Sequence, residues 1–406
     1  METQDNKRQR SFKNLSIKDS LLGQLEKLNY QVPTPIQHQL IPIAIKGEDV
    51  IGIAQTGTGK TLAFAIPIIQ KIADNKGQAL VIAPTRELAL QIEETFKKIG
   101  FAFGLKTVVL IGGTPMGPQI RQIKNRYHVI IATPGRLLDH LTQKTLLLDK
   151  VQTLILDEAD RMLDMGFEPD IKKIFAQLKD QDLQTMLFSA TMPVSIARIA
   201  NKYLKKPLRI EISPAGSTAR DIAQEIFIVT QGKKEDLLKN LLEKNKDSVL
   251  IFCRTKFGVK KIAKTLRLWG HTADEIHSNR SLAQRRQALA GFKSGRYKIL
   301  VATDIASRGI DVTAISLVIN YDLPEQPEDY VHRIGRTGRA GLSGKAISFV
   351  PPEQKYNIKV IEKLIKTNLP IKTVQGITQQ PDTSNFVSQK KSRQKRRRSF
   401  GKKYRR

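Results

Sequence analysis

The sequence predicts an α/β protein made of two tandem parallel-sheet domains and a disordered basic tail. Three observations carry this. Short runs that are apolar throughout recur along the chain, as parallel strands covered on both faces require. Amphipathic stretches with helical spacing separate them. The alternation pauses at ISPAGSTAR (212–220) and then restarts. Length agrees, because 406 residues exceed one ordinary core and fit two domains plus tails.

The first strands are read at DVIGIA (49–54), ALVIAP (79–84), HVIIAT (128–133), TLILDE (153–158) and TMLFSA (185–190). Between the second and third, Leu88, Ile92, Phe96 and Ile99 recur at helical spacing. Small residues with Pro and Gly make 213–222 a linker. The second series is EIFIVT (225–230), SVLIFC (248–253), YKILVAT (297–303), SLVINY (316–321) and AISFVP (346–351). The expected organisation is a segment 1–40, a first domain 41–212, the linker, a second domain 223–375 and a tail 376–406. Lys390 to Arg406 holds eleven Lys or Arg and no acid. Such a run reads as a solvated tail, a localisation signal or an electrostatic arm for nucleic acid.

Sixty-eight basic against 38 acidic residues leave a formal charge of +30, which points to a polyanionic partner, nucleic acid ahead of membrane. The single cysteine, Cys253, excludes an internal disulfide and a multi-cysteine metal site. The polar start METQDNKRQRSF is no secretory signal, and no apolar run approaches the ~20 residues that span a bilayer. A soluble, intracellular protein is expected. No coiled-coil heptads appear, so a monomer is expected.

AQTGTGKT (54–61) follows the first strand and opens a helical pattern. Gly57 and Gly59 allow a tight turn whose N–H groups can face phosphate oxygens at a helix N-terminus. Ala54, Gln55, Thr56 and Thr58 complete the loop. Lys60 would reach the β and γ phosphates, and the Thr61 hydroxyl would hold Mg²⁺. Ala54 stands where the general P-loop pattern has Gly. About a hundred residues on, an apolar run ends in Asp157, Glu158 and Asp160. Crowded carboxylates call for a positive partner. With a P-loop upstream, that partner is Mg²⁺ on a nucleoside triphosphate, held by Asp157. Glu158 can orient or deprotonate the attacking water. The bland alternative is a helix N-cap and first turn, which acids favour. The spacing of Asp160 leaves both readings open.

DEAD (157–160) together with AQTGTGKT resembles the DEAD-box RNA helicase family. The resemblance covers about residues 10 to 370 and continues through PTRELA (84–89), GG (112–113), TPGR (133–136), SAT (189–191), IFCRT (251–255), ATDIASRGID (302–311) and HRIGRTGR (332–339), in the family's order. Within the family the chain is most similar to the bacterial RhlE-type group, which implies a bacterial cytoplasmic protein. The resemblance implies two RecA-like domains joined by a flexible linker, and an RNA-dependent ATPase that separates short RNA duplexes or remodels RNA–protein complexes. The alternative is an ATP-gated RNA clamp or annealer whose basic tail is the main RNA binder.

The resemblance also implies site roles. YQVPTPIQ (30–37), with Phe12 placed 25 residues before Gln37, resembles the family's adenine-reading motif. A Gln37 amide can match adenine N6 and N7, and Tyr30 can stack on the base. Adenine selectivity makes ATP the nucleotide. Arg336 and Arg339 would cross the cleft to the γ-phosphate, as bidentate arginines suit phosphate. Asp311 would contact the ribose. Pro84, Thr85, Arg86, Gly112, Gly113, Thr133, Gly135 and Arg136 in the first domain, and Arg254, Thr303 and Gly309 in the second, map to RNA. Such groups grip phosphates and sugars with little sequence preference, on single strands and short duplexes. Thr133 to Gly135 could equally be an ordinary strand-to-helix turn. Asp160, Ser189, Thr191 and His332 would couple the nucleotide site to the RNA face. One departure stands out. Where many members have Gln-x-x-Arg, aligning on His277 puts Leu282 at the Gln position and keeps Arg285, and Ser278 replaces a common Gly. A leucine cannot make the glutamine's polar contact.

Overall fold

The computed structural model describes residues 11–55, 57–74, 77–178, 182–212, 222–245, 247–304, 315–338 and 344–378. Two seven-stranded sheets organise them. The first contains β1 (Val50–Ile53), β2 (Gln78–Ile82), β3 (Thr107–Leu110), β4 (Val129–Ala132), β5 (Val151–Leu156), β6 (Gln184–Ser189) and β7 (Leu208–Glu211) in the order β3-β4-β2-β5-β6-β1-β7. The second contains β8 (Ile222–Ile228), β9 (Val249–Phe252), β10 (Ala273–Ile276), β11 (Ile299–Ala302), β12 (Leu317–Asn320), β13 (Gly344–Val350) and β14 (Ile371–Lys372) in the order β10-β11-β9-β12-β13-β8-β14. Every described strand pairing is parallel. This is the tandem RecA-like arrangement.

Parallel strands need apolar cover on both faces, and the clusters show it. Val129 and Ile131 of β4 face one cluster of the first lobe, with Phe64, Phe96 and Phe188. Ile130 and Ala132 face the other, with Leu137, Met162 and Ile174. The second lobe repeats this with a cluster around Phe252, Phe292 and Tyr330 and another around Leu237, Ile262 and Phe349.

Each of the ten apolar runs read from the sequence lies in a sheet. The four further strands, β3, β7, β10 and β14, sit at the four sheet edges. Edge strands have one neighbour and tolerate polar residues. In β7 only Ile210 is buried, and β10 carries Asp274 and Glu275. Residues 213–221 of the expected linker lie outside the described residues, and Ile222 already opens β8. Val374 and Ile377 pack against the second lobe's core. The basic segment from 379 onward lies outside the described residues. Among the described residues no helix is long and apolar enough to cross a membrane.

Buried Asp49 ties β1 to its neighbours. Its Oδ1 accepts from the Thr185 N–H at 2.7 Å and its Oδ2 from the Lys205 N–H at 2.6 Å. Asp49→Ala strands two backbone donors, so the first lobe should lose about 1–3 kcal/mol, read from urea unfolding monitored by circular dichroism.

Candidate functional site

Ligands of open parallel sheets bind beyond the carboxyl ends of the strands. The first lobe places its chemistry there. After β1 the chain turns through the loop into the helix Lys60–Ala73, with Gly59 at its N-cap in the left-handed region (φ 89°). A β-carbon on Gly59 would fall 2.3 Å from Gln37 Nε2, so only glycine fits. Gln37 itself is buried. Its Oε1 accepts from the Thr34 N–H at 2.9 Å and its Nε2 donates to the Gly59 carbonyl at 3.1 Å. The adenine-motif glutamine thus touches the P-loop directly. The Lys60 ammonium is buried and donates to the Ala54 carbonyl at 2.6 Å. The Thr58 hydroxyl closes the loop on the Gln55 carbonyl at 2.7 Å. Tyr30 is half-buried against the first lobe's core, with Lys98 5.6 Å from its ring centroid. Phe12 is in the core itself. Thr56 lies outside the described residues.

β5 delivers Asp157, Glu158 and Asp160, which are 2%, 4% and 4% exposed. Burial pushes the Asp157 carboxyl up to about 7, although Lys60 beside it pulls the other way. Glu158 adopts the left-handed backbone (φ 51°, ψ 52°), a strained state for a non-glycine residue and frequent at functional sites. Its Oε2 makes no hydrogen bond and stands 3.5 Å from Arg161 Nε. Hard carboxylate oxygens beside a phosphate loop, one of them held near neutrality by burial, suit a divalent cation that restores the charge. Among the described residues no cluster of three or more His, Cys, Asp or Glu could hold a metal alone. Mg²⁺ takes one or two carboxylates and completes its shell with substrate phosphates and water.

Asp160 has a different task. Its Oδ2 accepts from the N–H groups of Ala190 and Thr191 at 3.0 and 2.9 Å and from the Thr191 hydroxyl at 3.0 Å. Its own N–H donates to Ser189 Oγ at 3.3 Å. The bonds join the DEAD turn to the segment after β6, while Asp160 Oδ1 accepts from the Arg161 N–H at 3.0 Å within the first turn of its own helix.

In the second lobe, Arg333 holds Asp304 with two bonds, Nε to Oδ1 at 2.5 Å and Nη2 to Oδ2 at 2.7 Å. Its Nη1 also reaches Asn320 Oδ1 at 3.2 Å. Arg333 is 2% exposed, and the sequence reading passed over both partners. This pair fixes the helix Pro327–Ile334, which carries His332 and leads to Arg336. Gly335 stands against the P-loop, since a β-carbon there would lie 3.8 Å from Gln55 Oε1. Arg336 is buried, and with His332, Arg333 and Asp304 it encloses a small gap with Arg161 of the first lobe. Arg339 and Asp311 lie outside the described residues.

A cleft of about 660 Å³ runs between the lobes. Pro84, Thr85, Arg86, Gly112, Thr133, Gly135 and Arg136 line it from the first lobe, and Arg254, Thr303 and Ser278 from the second. Gly113, in the left-handed region at φ 71°, lies against Arg86, where a β-carbon would meet Nη1 at 1.9 Å. Gly309 lies outside the described residues. Buried His140 bonds Thr145 Oγ1 and Gln119 Oε1, Gln119 Nε2 donates to the Ile111 carbonyl, and Arg136 Nη1 donates to the Thr114 carbonyl. That network fixes the GG and TPGR segments against each other.

The departure at Leu282 has a structural counterpart. Ser281 caps the helix Leu282–Lys293, and Gln284 completes its capping box. Leu282 packs against the first lobe's core, and Arg285 Nη2 pairs with Glu87 Oε2 at 2.9 Å across the lobes. An apolar contact and an ion pair therefore bridge the domains.

Comparison with known proteins agrees with this geometry. The DEAD/DEAH box helicase family matches residues 34–199, and the helicase conserved C-terminal domain matches residues 232–341. A DEAD-box ATP-dependent RNA helicase CshA of Bacillus subtilis is 42% identical over 362 residues, 88% of this chain and 73% of that protein. The CshA of Bacillus cereus is 44% identical over 88% and 69%. The structure of S. cerevisiae Dbp5 bound to RNA and ADP BeF3 superposes with a TM-score of 0.81, at 30% identity, covering 89% of this chain and 95% of that one. A DEAD box protein from Methanococcus jannaschii, 38% identical over 90% and 99%, superposes with a TM-score of 0.54. The chain belongs to the DEAD-box ATP-dependent RNA helicase family, whose members use ATP with Mg²⁺. These relatives are CshA proteins, so the narrower RhlE-type placement gains no support.

Removing Arg285 leaves Glu87 buried without its cation, which penalises the closed lobes alone. Arg285→Ala should weaken RNA binding in the presence of a non-hydrolysable ATP analogue by at least about tenfold, measured by fluorescence anisotropy.

Proposed function

We propose that this chain hydrolyses ATP in response to RNA and uses closure of its two lobes to separate short RNA duplexes or remodel RNA–protein complexes. One observation carries the reading. Residues of both lobes line a single cleft while Gly335 stands beside the P-loop and Arg336 shares a gap with Arg161 of the first lobe, so nucleotide and RNA sites are completed by the same closure. The overall arrangement superposes well with a relative whose structure is described as bound to RNA and ADP BeF3.

In this reading Gln37 selects adenine and Tyr30 stacks on it. The amides of residues 54–59 cradle the phosphates, and Lys60 leaves the Ala54 carbonyl for the β and γ phosphates. Thr61 and Asp157 hold Mg²⁺, which when bound neutralises charge on the phosphate oxygens. Asp311 contacts the ribose. Glu158 accepts a proton from water as its oxygen attacks the γ-phosphorus; the β–γ anhydride bond breaks, and ADP and phosphate leave. Arg336 and Arg339 stabilise the charge on the transferring group, a contribution worth ~10³–10⁵ in rate in related NTPases. Asp160, Ser189, Thr191 and His332 transmit the state of the nucleotide to the cleft. There Pro84, Thr85, Arg86, Gly112, Gly113, Thr133, Gly135, Arg136, Arg254, Thr303 and Gly309 hold the sugar–phosphate backbone. We place the protein in the bacterial cytoplasm, acting as a monomer.

The test compares ATPase stimulation by RNA and DNA oligonucleotides of matched sequence. RNA should stimulate strongly and DNA weakly; equal stimulation overturns the RNA assignment. Two substitutions separate the steps. Lys60→Ala should abolish ATP binding in a nucleotide fluorescence assay. Glu158→Gln should bind ATP and RNA yet turn over at least about a hundredfold more slowly, the lower range for a lost general base, and accumulate as a closed complex on native gels.

A further inference from the structure

We infer that Phe257 is a base-stacking platform at the rim of the cleft, on which one unpaired base of the bound RNA strand rests. The inference builds on the RNA-binding reading above and adds a contact to a base, where all the residues assigned so far suit the sugar–phosphate backbone.

Four observations carry it. Phe257 is 72% exposed and is not part of either core cluster of its lobe. The helix Lys256–Leu268 buries Val259, Ile262, Ala263 and Leu266, a face that excludes Phe257. The ring lies next to the cleft without lining it: Lys256 lines the cleft, and its ammonium lies 5.4 Å from the ring centroid. That ammonium is anchored, donating to Asn279 Oδ1 at 3.1 Å. The ring's backbone is anchored too: Thr255 caps the helix by accepting from the Gly258 N–H at 3.0 Å, and the Arg254 N–H donates to Asp322 Oδ2 at 3.1 Å. Finally, Arg254 lines both the cleft and a neighbouring hollow of about 400 Å³ that Thr255 and Gly258 also line. Residues 254–258 are therefore a ridge between two hollows, and a strand leaving the cleft on the second lobe crosses it.

A cationic groove with an aromatic ring at its edge is the combination that holds single strands without reading their sequence. Lys256 supplies a charge for a phosphate, and the ring supplies a face for whichever base comes next. A lone exposed aromatic elsewhere on the surface would need no explanation. This one sits on a rigid ridge within reach of a cleft-lining ammonium.

The test is an abasic scan of an unstructured oligoribonucleotide of about 12 nucleotides, within the site sizes of single-strand grooves, bound to the full chain with a non-hydrolysable ATP analogue and read by anisotropy. In the parent protein one position should show a penalty of about 5–10-fold when its base is removed, the lower range for base–aromatic stacking at an exposed site. Phe257→Ala should lose a similar factor on the intact strand and show no further penalty at that position. Phe257→Trp should restore both. ATPase turnover at saturating RNA should stay within about twofold, because stacking contributes to binding and not to chemistry. An abasic profile identical in the parent and Phe257→Ala, or unchanged affinity of Phe257→Ala, overturns the inference. If the parent protein neither binds RNA nor responds to it in ATPase assays, the proposed function falls with it; if it does both, only the platform is at stake.

Discussion

The burial of three carboxylates at the end of β5 is the constraint around which the first lobe is arranged. Asp157 lies on the P-loop side, where burial pushes its carboxyl up to about 7 although Lys60 offsets part of the charge, and Glu158 stands beside Arg161. Asp160 turns to the segment after β6 and satisfies three donors there. One short turn therefore faces two surfaces. Asp157 is separated from the Ser189 and Thr191 contacts by a single strained residue, Glu158, and a single helical turn. The left-handed backbone at Glu158 is what points consecutive acids in different directions.

The second constraint is that the site is split. Gly335 rests near Gln55 of the P-loop, and that placement depends on the helix Pro327–Ile334 being held by the Arg333–Asp304 pair. The lobes are joined on the other side of the cleft by Arg285 with Glu87 and by Leu282 on the first lobe's core. At Leu282, where the resemblance leads one to expect a polar glutamine, this chain has an apolar side chain that packs on the first lobe's core. Gln284, two residues on, is occupied in capping its own helix. The exchange trades a directional bond for burial of apolar area, which tolerates small shifts in how the lobes meet.

Much of this was legible in the sequence, and the exceptions share a cause. The P-loop, the DEAD turn and the linings of the cleft are local motifs, in which neighbours in the chain are neighbours in space. Central strands were legible because burial on both faces leaves an unbroken apolar run. Of the four edge strands, β7 and β10 were masked by Arg209, Asp274 and Glu275 at positions that a covered strand would fill with apolar groups, and β14 is only two residues long; β3, TVVL, is an apolar run that was not read as a strand. Long-range polar pairs were likewise hidden. Asp49 meets Lys205, Glu87 meets Arg285 and Asp304 meets Arg333, each across a separation that no spacing rule reaches. Glu87 and Asp304 even lay inside quoted motifs, but a motif lists residues without saying which ones face one another.

Charge explains why such a split site should wait for RNA. The cleft gathers Arg86, Arg136, Arg254, Lys256 and Arg285 against only Glu87 and Asp139. Closing the lobes brings like charges from both sides into one space, and the whole chain carries +30. The Arg285–Glu87 pair offsets part of that repulsion but is itself incompletely satisfied, with Glu87 Oε1 and Arg285 Nε lacking hydrogen bonds. A buried pair in that condition contributes little on its own. A polyanion laid along the cleft removes the repulsion and supplies acceptors to both lobes at once, so a bound strand favours closure. In the proposed cycle RNA stabilises the arrangement in which Gly335 lies beside Gln55, which ties the hydrolysis of ATP to the substrate being remodelled.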